Sequence, residues 1–145
     1  MCSAAVGAAT APGRAAKTAY TDGHGTLSYG ELADNVRRMA AALLNSGLRR
    51  EDRVLLLMHD NNDWPVSFLG AMYAGLVPVA VNTLLTSEDY AYMLRHSRAQ
   101  AVLVSDALRP VLQQAMAAVA HEAQRRRTQL PRASDLAVRA VAQHD

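Results

Sequence analysis

Three groups of side chains have types and spacings that chemistry can use. The first is His59-Asp60-Asn61-Asn62-Asp63, an imidazole between amides and carboxylates. Such a group can ligate a metal or carry a proton. No second cluster supplies further ligands at a recognisable spacing, so the plainer reading is preferred: a polar turn in which Asn62 or Asp63 caps a helix. The second is Ser105, directly after an apolar run. A nucleophilic serine on a strand-to-helix turn needs glycines around it, and Val104 and Asp106 do not provide them, so Ser105 is also read as a cap. The third is Arg125-Arg126-Arg127. It can touch phosphate, but no aromatic platform accompanies it, and a solvated tail is the preferred reading.

Glycines offer no more. A dinucleotide or P-loop site needs clustered glycines after a strand, so that backbone amides can approach phosphate. Neither pattern occurs, and Gly23 and Gly25 sit in a turn ahead of the first long helix. Cys2 is the sole cysteine, which allows no internal disulfide and no Cys-rich zinc site. No catalytic, cofactor-binding or metal-ligating residue is assigned.

The elements that would position these groups are clearer. With 145 residues, 50% of them apolar and 19% charged, the chain has room for one ordinary domain with a core. A complete multidomain synthetase, kinase or dehydrogenase does not fit. The net charge of +2 does not argue for nucleic acid. There are 28 Ala, 18 Leu and 13 Val but no Ile, and 14 Arg against one Lys, a bias that says little about function.

Residues 1–16 are rich in Ala and Gly without a period and are expected to be a flexible leader. Asp22-Gly23-His24-Gly25 lies between two short strand-like pieces, a hairpin signal. Ser28-Tyr29-Gly30-Glu31 fits a capping box, and Leu32, Val36, Met39, Ala40, Leu43 and Leu44 follow at helical spacing. Gly47 is a natural stop. Arg53-Val54-Leu55-Leu56-Leu57-Met58 reads as a strand covered on both faces. A helix follows, with Phe68, Leu69, Met72 and Tyr73 as its apolar side. Residues 77–81 read as a second buried strand. Thr86-Ser87-Glu88-Asp89 starts a helix that turns Tyr90, Met93 and Leu94 inward, and Ala101-Val102-Leu103-Val104 is a third buried strand. A last helix runs to about Ala120, with Pro110 in its first turn. Residues 134–144 have the pattern of a short helix.

The order is a β-hairpin, then α-β-α-β-α-β-α, which implies βαβ units and a parallel sheet with flanking helices. The α/β domain is expected over residues 17–122 and a basic tail over 123–145. Residues 64–87 carry no charge, a length that can span a bilayer. Pro65, Gly70, Gly75, Pro78 and Asn82 interrupt it, so a helix followed by a buried strand is preferred. The N-terminus lacks a basic segment and a leucine-rich segment. A cytoplasmic protein is expected.

Several segments, in order, resemble one family. Lys17-Thr18-Ala19-Tyr20 with Leu27-Ser28-Tyr29-Gly30-Glu31-Leu32 is similar to the opening of acyl-adenylating enzymes, the AMP-dependent synthetases and ligases. Asp52-Arg53-Val54-Leu55-Leu56 is similar to their next strand. Phe68-Leu69-Gly70-Ala71-Met72-Tyr73-Ala74-Gly75-Leu76-Val77-Pro78-Val79 is similar to their helix–glycine–strand signature. Val81-Asn82-Thr83-Leu84-Leu85-Thr86, Asp89-Tyr90-Ala91-Tyr92-Met93-Leu94 and His96-Ser97-Arg98-Ala99 resemble the benzoate and 4-hydroxybenzoate CoA ligase branch. The resemblance covers about residues 12–124.

It implies a partial N-terminal domain of a ligase that activates an aromatic carboxylate with ATP and magnesium and transfers it to coenzyme A. It also implies that the chemistry lies elsewhere. The family's phosphate loop, adenine motifs and acyl pocket follow the resembling region, and its adenylation lysine lies in a C-terminal domain. The one lysine here is Lys17. This chain is therefore expected to bind no cofactor and to be inactive alone. The family has a further strand where residues 124–130 stand, and Arg125-Arg126-Arg127 departs from it. A truncated gene or a reading-frame change near residue 124 accounts for that departure. The rival expectation is a non-catalytic module that self-associates or docks on a partner chain through an open sheet edge.

Overall fold

The computed structural model describes residues 2–129 and 139–142, with side chains over 3–121. The chain divides into two compact units. One takes the residues up to Asp52 together with His59–Pro78, and the other takes Arg53–Met58 and the residues from Val79 on.

The first unit holds helix α1 (Cys2–Ala9), strands β1 (Thr18–Asp22) and β2 (Gly25–Ser28), helix α2 (Tyr29–Asn45) and helix α3 (Asp63–Tyr73). Helix α1 stands where a flexible leader is expected. Its alanines favour helix without marking a face, and the face is set by Val6 and Ala9, which are buried with Leu27, Leu32 and Val36. The hairpin is antiparallel with Asp22 opposite Gly25, leaving Gly23-His24 as its turn. Helix α2 opens on the expected capping box. The Glu31 amide donates to Ser28 Oγ (3.3 Å) and the Ser28 amide donates to Glu31 Oε2 (2.8 Å). Gly47, just past its end, takes φ +92°.

Helix α3 buries a different face from the expected one. Pro65, Val66, Ser67, Gly70 and Ala71 are inside, while Met72 and Tyr73 stay 42% and 38% exposed. Helix α2 explains this. A Cβ on Gly70 would stand 2.5 Å from Met39 Cγ and 2.7 Å from Met39 Cβ. The close approach of two helices needs small residues at the crossing, and it outranks side-chain hydrophobicity in choosing the buried face.

The second unit is built on a sheet. Strand β3 (Arg53–Leu57), strand β4 (Val77–Ala80, of which Val79 and Ala80 belong to this unit), strand β5 (Ala101–Val104) and strand β6 (Arg139–Ala142) lie in the order β4-β3-β5-β6. Strands β3, β5 and β6 are parallel, with Leu55 opposite Val102 and Val102 opposite Ala140. Amides of Val77 and Val81 donate to the carbonyls of Asp52 and Leu56, so β4 also runs parallel. Val54, Leu55, Leu56, Leu57, Val102 and Leu103 are fully buried, as a strand covered on both faces must be. Each such side chain contributes about 1.5–3 kcal/mol through burial.

Strand β4 is an edge strand and not a buried one, with Val77 44% exposed. The amides of Val77 and Val81 face β3, so alternation turns Pro78 and Ala80 outward. Pro78 has no N–H, so strand addition at this edge lacks a donor.

Helix α4 (Ser87–Ser97) has a second capping box, between Thr86 and Asp89. Its C-terminal carbonyl at Ser97 accepts from Arg53 Nε (2.8 Å). A single turn of tighter helix, Asp106–Leu108, leads into helix α5 (Arg109–Gln129), which carries Pro110 in its first turn and runs past the expected Ala120. Tyr90, Ala91, Leu94, Leu112 and Ala115 pack with Leu55, Leu57, Val102 and Val104 as the core of this unit. Residues 139–142 form β6, where the sequence pattern suggests helix; the rest of that pattern lies outside the described residues. The uncharged stretch 64–87 is broken at Gly75 (φ +77°). Among the described residues no helix is long and apolar enough to cross a membrane.

Candidate functional site

From β3 the chain moves out to β4, then returns past β3 to β5 and on to β6. The direction reverses between β3 and β5, and ligands of open α/β sheets bind at the carboxyl edge of such a reversal. Met58 and Ser105 stand at that edge. Met58 is buried, and the Ser105 amide donates to the Leu57 carbonyl (3.1 Å). Ser105 takes the N-cap position of the turn Asp106–Leu108 without a side-chain cap bond. The first-turn acid there, Asp106, is paired with Arg109 at 2.9 Å.

Within the group at residues 59–63, Asn61, Asn62 and Asp63 take part in structural hydrogen bonds. Asp22, in the hairpin, is its organiser. Its carboxylate accepts from the amides of Asn62 (2.8 Å), His24 (2.8 Å) and Gly25 (3.0 Å). These backbone donors, that of Asn62 first, hold the Asp22 carboxyl below the usual carboxylate range. The Asn62 side chain donates to the Gly25 carbonyl (3.1 Å). Asn62 takes the expected N-cap position of α3, but its side chain is committed to the hairpin and makes no cap bond. Asn61 Oδ1 instead accepts from Asp63 N (3.1 Å) and Trp64 N (3.3 Å). Asp-Gly signals the turn in the sequence, but nothing there signals the reach to Asn62.

The loop after β4 is organised by a buried hydroxyl. Tyr90 is fully buried, and its Oη donates to the Asn82 carbonyl (2.7 Å) and accepts from the Leu85 amide (3.2 Å). Asn82 Oδ1 accepts from the Leu84 amide (2.9 Å). The capping box closes the loop, with hydrogen bonds from the Thr86 hydroxyl and amide holding Asp89 below the usual carboxylate range. Sequence reasoning places Tyr90 inside but misses the work of its hydroxyl, although a buried tyrosine needs a partner for its O–H.

A shallow apolar cleft of about 300 Å³ lies in the first unit among α1, the hairpin and α2, lined in part by Val6, Ala9, Tyr29 and Leu32. It offers no converging charges. Among the described residues no three His, Cys, Asp or Glu side chains gather as a metal site. Gly13, Gly25, Gly47 and Gly75 take positive φ one at a time, in separate turns. The Arg125-Arg126-Arg127 side chains lie outside the described set.

Comparison with known proteins supplies what the geometry alone does not. The family model described as "AMP-binding enzyme" matches residues 8–144. The chain belongs to the AMP-binding enzyme family. It is 42% identical over 111 residues to a 4-hydroxybenzoate–CoA/benzoate–CoA ligase of Rhodopseudomonas palustris, covering 77% of this chain and 21% of the ligase. It is 48% identical over 100 residues to a benzoate–CoA ligase of Thauera aromatica, covering 68% and 19%. A benzoate CoA ligase structure from Burkholderia xenovorans superposes with TM-score 0.82 at 39% identity, over 99% of this chain and 25% of that one. The chain thus spans about a fifth of the length of these sequence relatives, as a partial N-terminal region. The AMP-binding match also runs past residue 124, where the sequence resemblance stops, and takes in β6. Where the family has a further strand at residues 124–130, residues 124–129 of this chain continue α5, and a strand parallel to β5 stands at 139–142.

Proposed function

We propose that this chain is the N-terminal α/β portion of a cytoplasmic, ATP-dependent CoA ligase for aromatic acids of the benzoate type, and that it does not catalyse by itself. The observation that carries this is the superposition at TM-score 0.82, which takes in 99% of this chain but 25% of the ligase. Within that quarter the described residues offer neither a phosphate cradle nor a cluster of metal ligands.

The whole ligase would join the carboxylate oxygen of an aromatic acid to the α-phosphorus of ATP, releasing pyrophosphate. The thiol of coenzyme A would then displace AMP from the acyl carbon. Stabilising phosphate charge in both steps needs aimed donors or cations. The carboxylates best fixed here, Asp22, Glu31 and Asp89, are occupied by amides and hydroxyls of their own turns. The part of this chain is to fold two of the units on which the ligase is built.

Purified chain incubated with benzoate, ATP, magnesium and coenzyme A should form no benzoyl-CoA and release no pyrophosphate. Turnover by the chain alone overturns this reading. A second reading, a non-catalytic module that docks on a partner chain, draws on the exposed Met72, Tyr73 and Val77. It predicts a stable complex with a protein unrelated to CoA ligases.

A further inference from the structure

We propose that Asp22-Gly23 is a latent covalent modification site, held closed by the tie of the hairpin to Asn62, and that opening of this tie lets Asp22 isomerise to isoaspartate. The sequence holds one Asp-Gly and no Asn-Gly. Glycine after aspartate is the reactive case, because its amide has no side chain to shield it. Gly23 and His24 are exposed, so water reaches the turn.

The reaction needs no co-reactant but water. The Gly23 nitrogen attacks Asp22 Cγ. A Cγ–N bond forms, the Cγ–OH bond breaks, and the amide proton leaves with the hydroxyl as water. Water then adds to the cyclic imide. Opening at Cγ restores aspartate. Opening at the main-chain carbonyl of Asp22 leaves isoaspartate, with the chain running through Cβ and Cγ. Nothing is oxidised or reduced, and the mass is unchanged.

The folded turn opposes each requirement of that reaction. Both carboxylate oxygens are occupied. Oδ1 accepts from the His24 amide (2.8 Å) and the Gly25 amide (3.0 Å), and Oδ2 accepts from the Asn62 amide (2.8 Å), 40 residues away in sequence. The leaving oxygen must be protonated, and these amides favour the carboxylate. Asp22 also ends β1, opposite Gly25, so its backbone is extended. Ring closure must turn the Gly23 nitrogen back towards Cγ, which the paired strand resists. Once formed, isoaspartate carries its carboxylate on a shorter stem and a longer main chain. It no longer reaches the same three amides, so the tie to Asn62 is lost for good.

The test incubates the purified chain, the same chain in urea, and a peptide of residues 17–28 in neutral buffer, and reads isoaspartate at residue 22 by peptide mapping. The peptide and the unfolded chain should accumulate it about tenfold or more faster than the folded chain. Asn62→Ala removes the side-chain bond to the Gly25 carbonyl without removing a cap bond of α3. It should raise the rate in the folded chain about threefold or more. A Cβ on Gly23 meets no atom within 4 Å, so Gly23→Ala should leave the fold intact and suppress the reaction in the folded chain and in urea. The isomerised chain, separated by chromatography, should exchange its Asn62 amide faster than the unaltered chain. Equal rates in the folded chain and the peptide overturn the protection, whatever the variants do. An unchanged rate in Asn62→Ala overturns the role of the tie, and a peptide that forms no isoaspartate overturns the site.

Discussion

The two units solve the same problem, fixing a loop, by different means. In the first, a half-buried carboxylate gathers three backbone amides, and two helices close on each other through small residues. In the second, a buried neutral hydroxyl ties a turn to a helix that packs in the core of the unit. The first arrangement turns its polar groups onto the protein itself. The second leaves an apolar side chain displayed. The difference teaches that Asn61 and Asn62, in the polar group that looks the more chemical in sequence, are engaged with backbone, whereas the bland Asn-Thr-Leu-Leu-Thr turn leaves Leu84 displayed.

The contrast can be broken at several points. Gly70→Ala should be the most damaging substitution in the first unit, since its Cβ meets Met39 at 2.5 Å. A loss of about 1–3 kcal/mol is expected in urea denaturation, and an unchanged midpoint would show that the two helices separate without cost. Tyr90→Phe should cost about 1–2 kcal/mol, because it leaves the Asn82 carbonyl and the Leu85 amide without their partner. Amide exchange should quicken at Leu85 and not in the hairpin; uniform quickening would contradict a local tie.

Arg98 ends α4 in the left-handed region, at φ +53°. Arg98→Gly should therefore stabilise the chain by about 0.5 kcal/mol, read as a higher thermal midpoint. A drop would mean that the side chain contributes more than its backbone strain removes.

The weakest expected effect is that of acid, because none of the carboxylates involved is buried. Asp22 and Glu31 in the first unit and Asp89 in the second are all held below their usual values by hydrogen bonds. Their contribution is present above the unfolded carboxylate value of about pH 4 and is lost as pH falls through the lowered folded value. Amide exchange between pH 5 and pH 3 should loosen the first unit more than the second, and Asp22→Asn should narrow that gap. Equal loosening would count against the carboxylate's role.

Much of this was legible in the sequence, for reasons that differ between elements. Continuous apolar runs marked β3 and β5, because strands covered on both faces tolerate nothing else. A capping box marked the start of α2, and acids in the first turn marked that of α4, because both signals are local. The buried face of α3 was misread, since Gly70 and Ser67 win burial by being small at a helix crossing, which periodicity weighted by hydrophobicity misses. Helix α1 was hidden because alanine supplies helix propensity without a stripe. Strand β4 looked interior because Val77, Val79 and Val81 are apolar, yet its place in the sheet order leaves it at an edge. The site was legible chiefly through family resemblance. The ties of Asp22 to Asn62 and of Tyr90 to Asn82 depend on tertiary placement that no local pattern encodes.

The central claim is that this chain supplies fold and not chemistry to an aromatic-acid CoA ligase. Benzoyl-CoA formation, measured for the chain alone and for the chain co-produced with the portion of the Thauera aromatica ligase beyond the matched region, tests it most directly. The account predicts no turnover in the first case and turnover in the second. Turnover by the chain alone, or none when both parts are present and assembled, would contradict it.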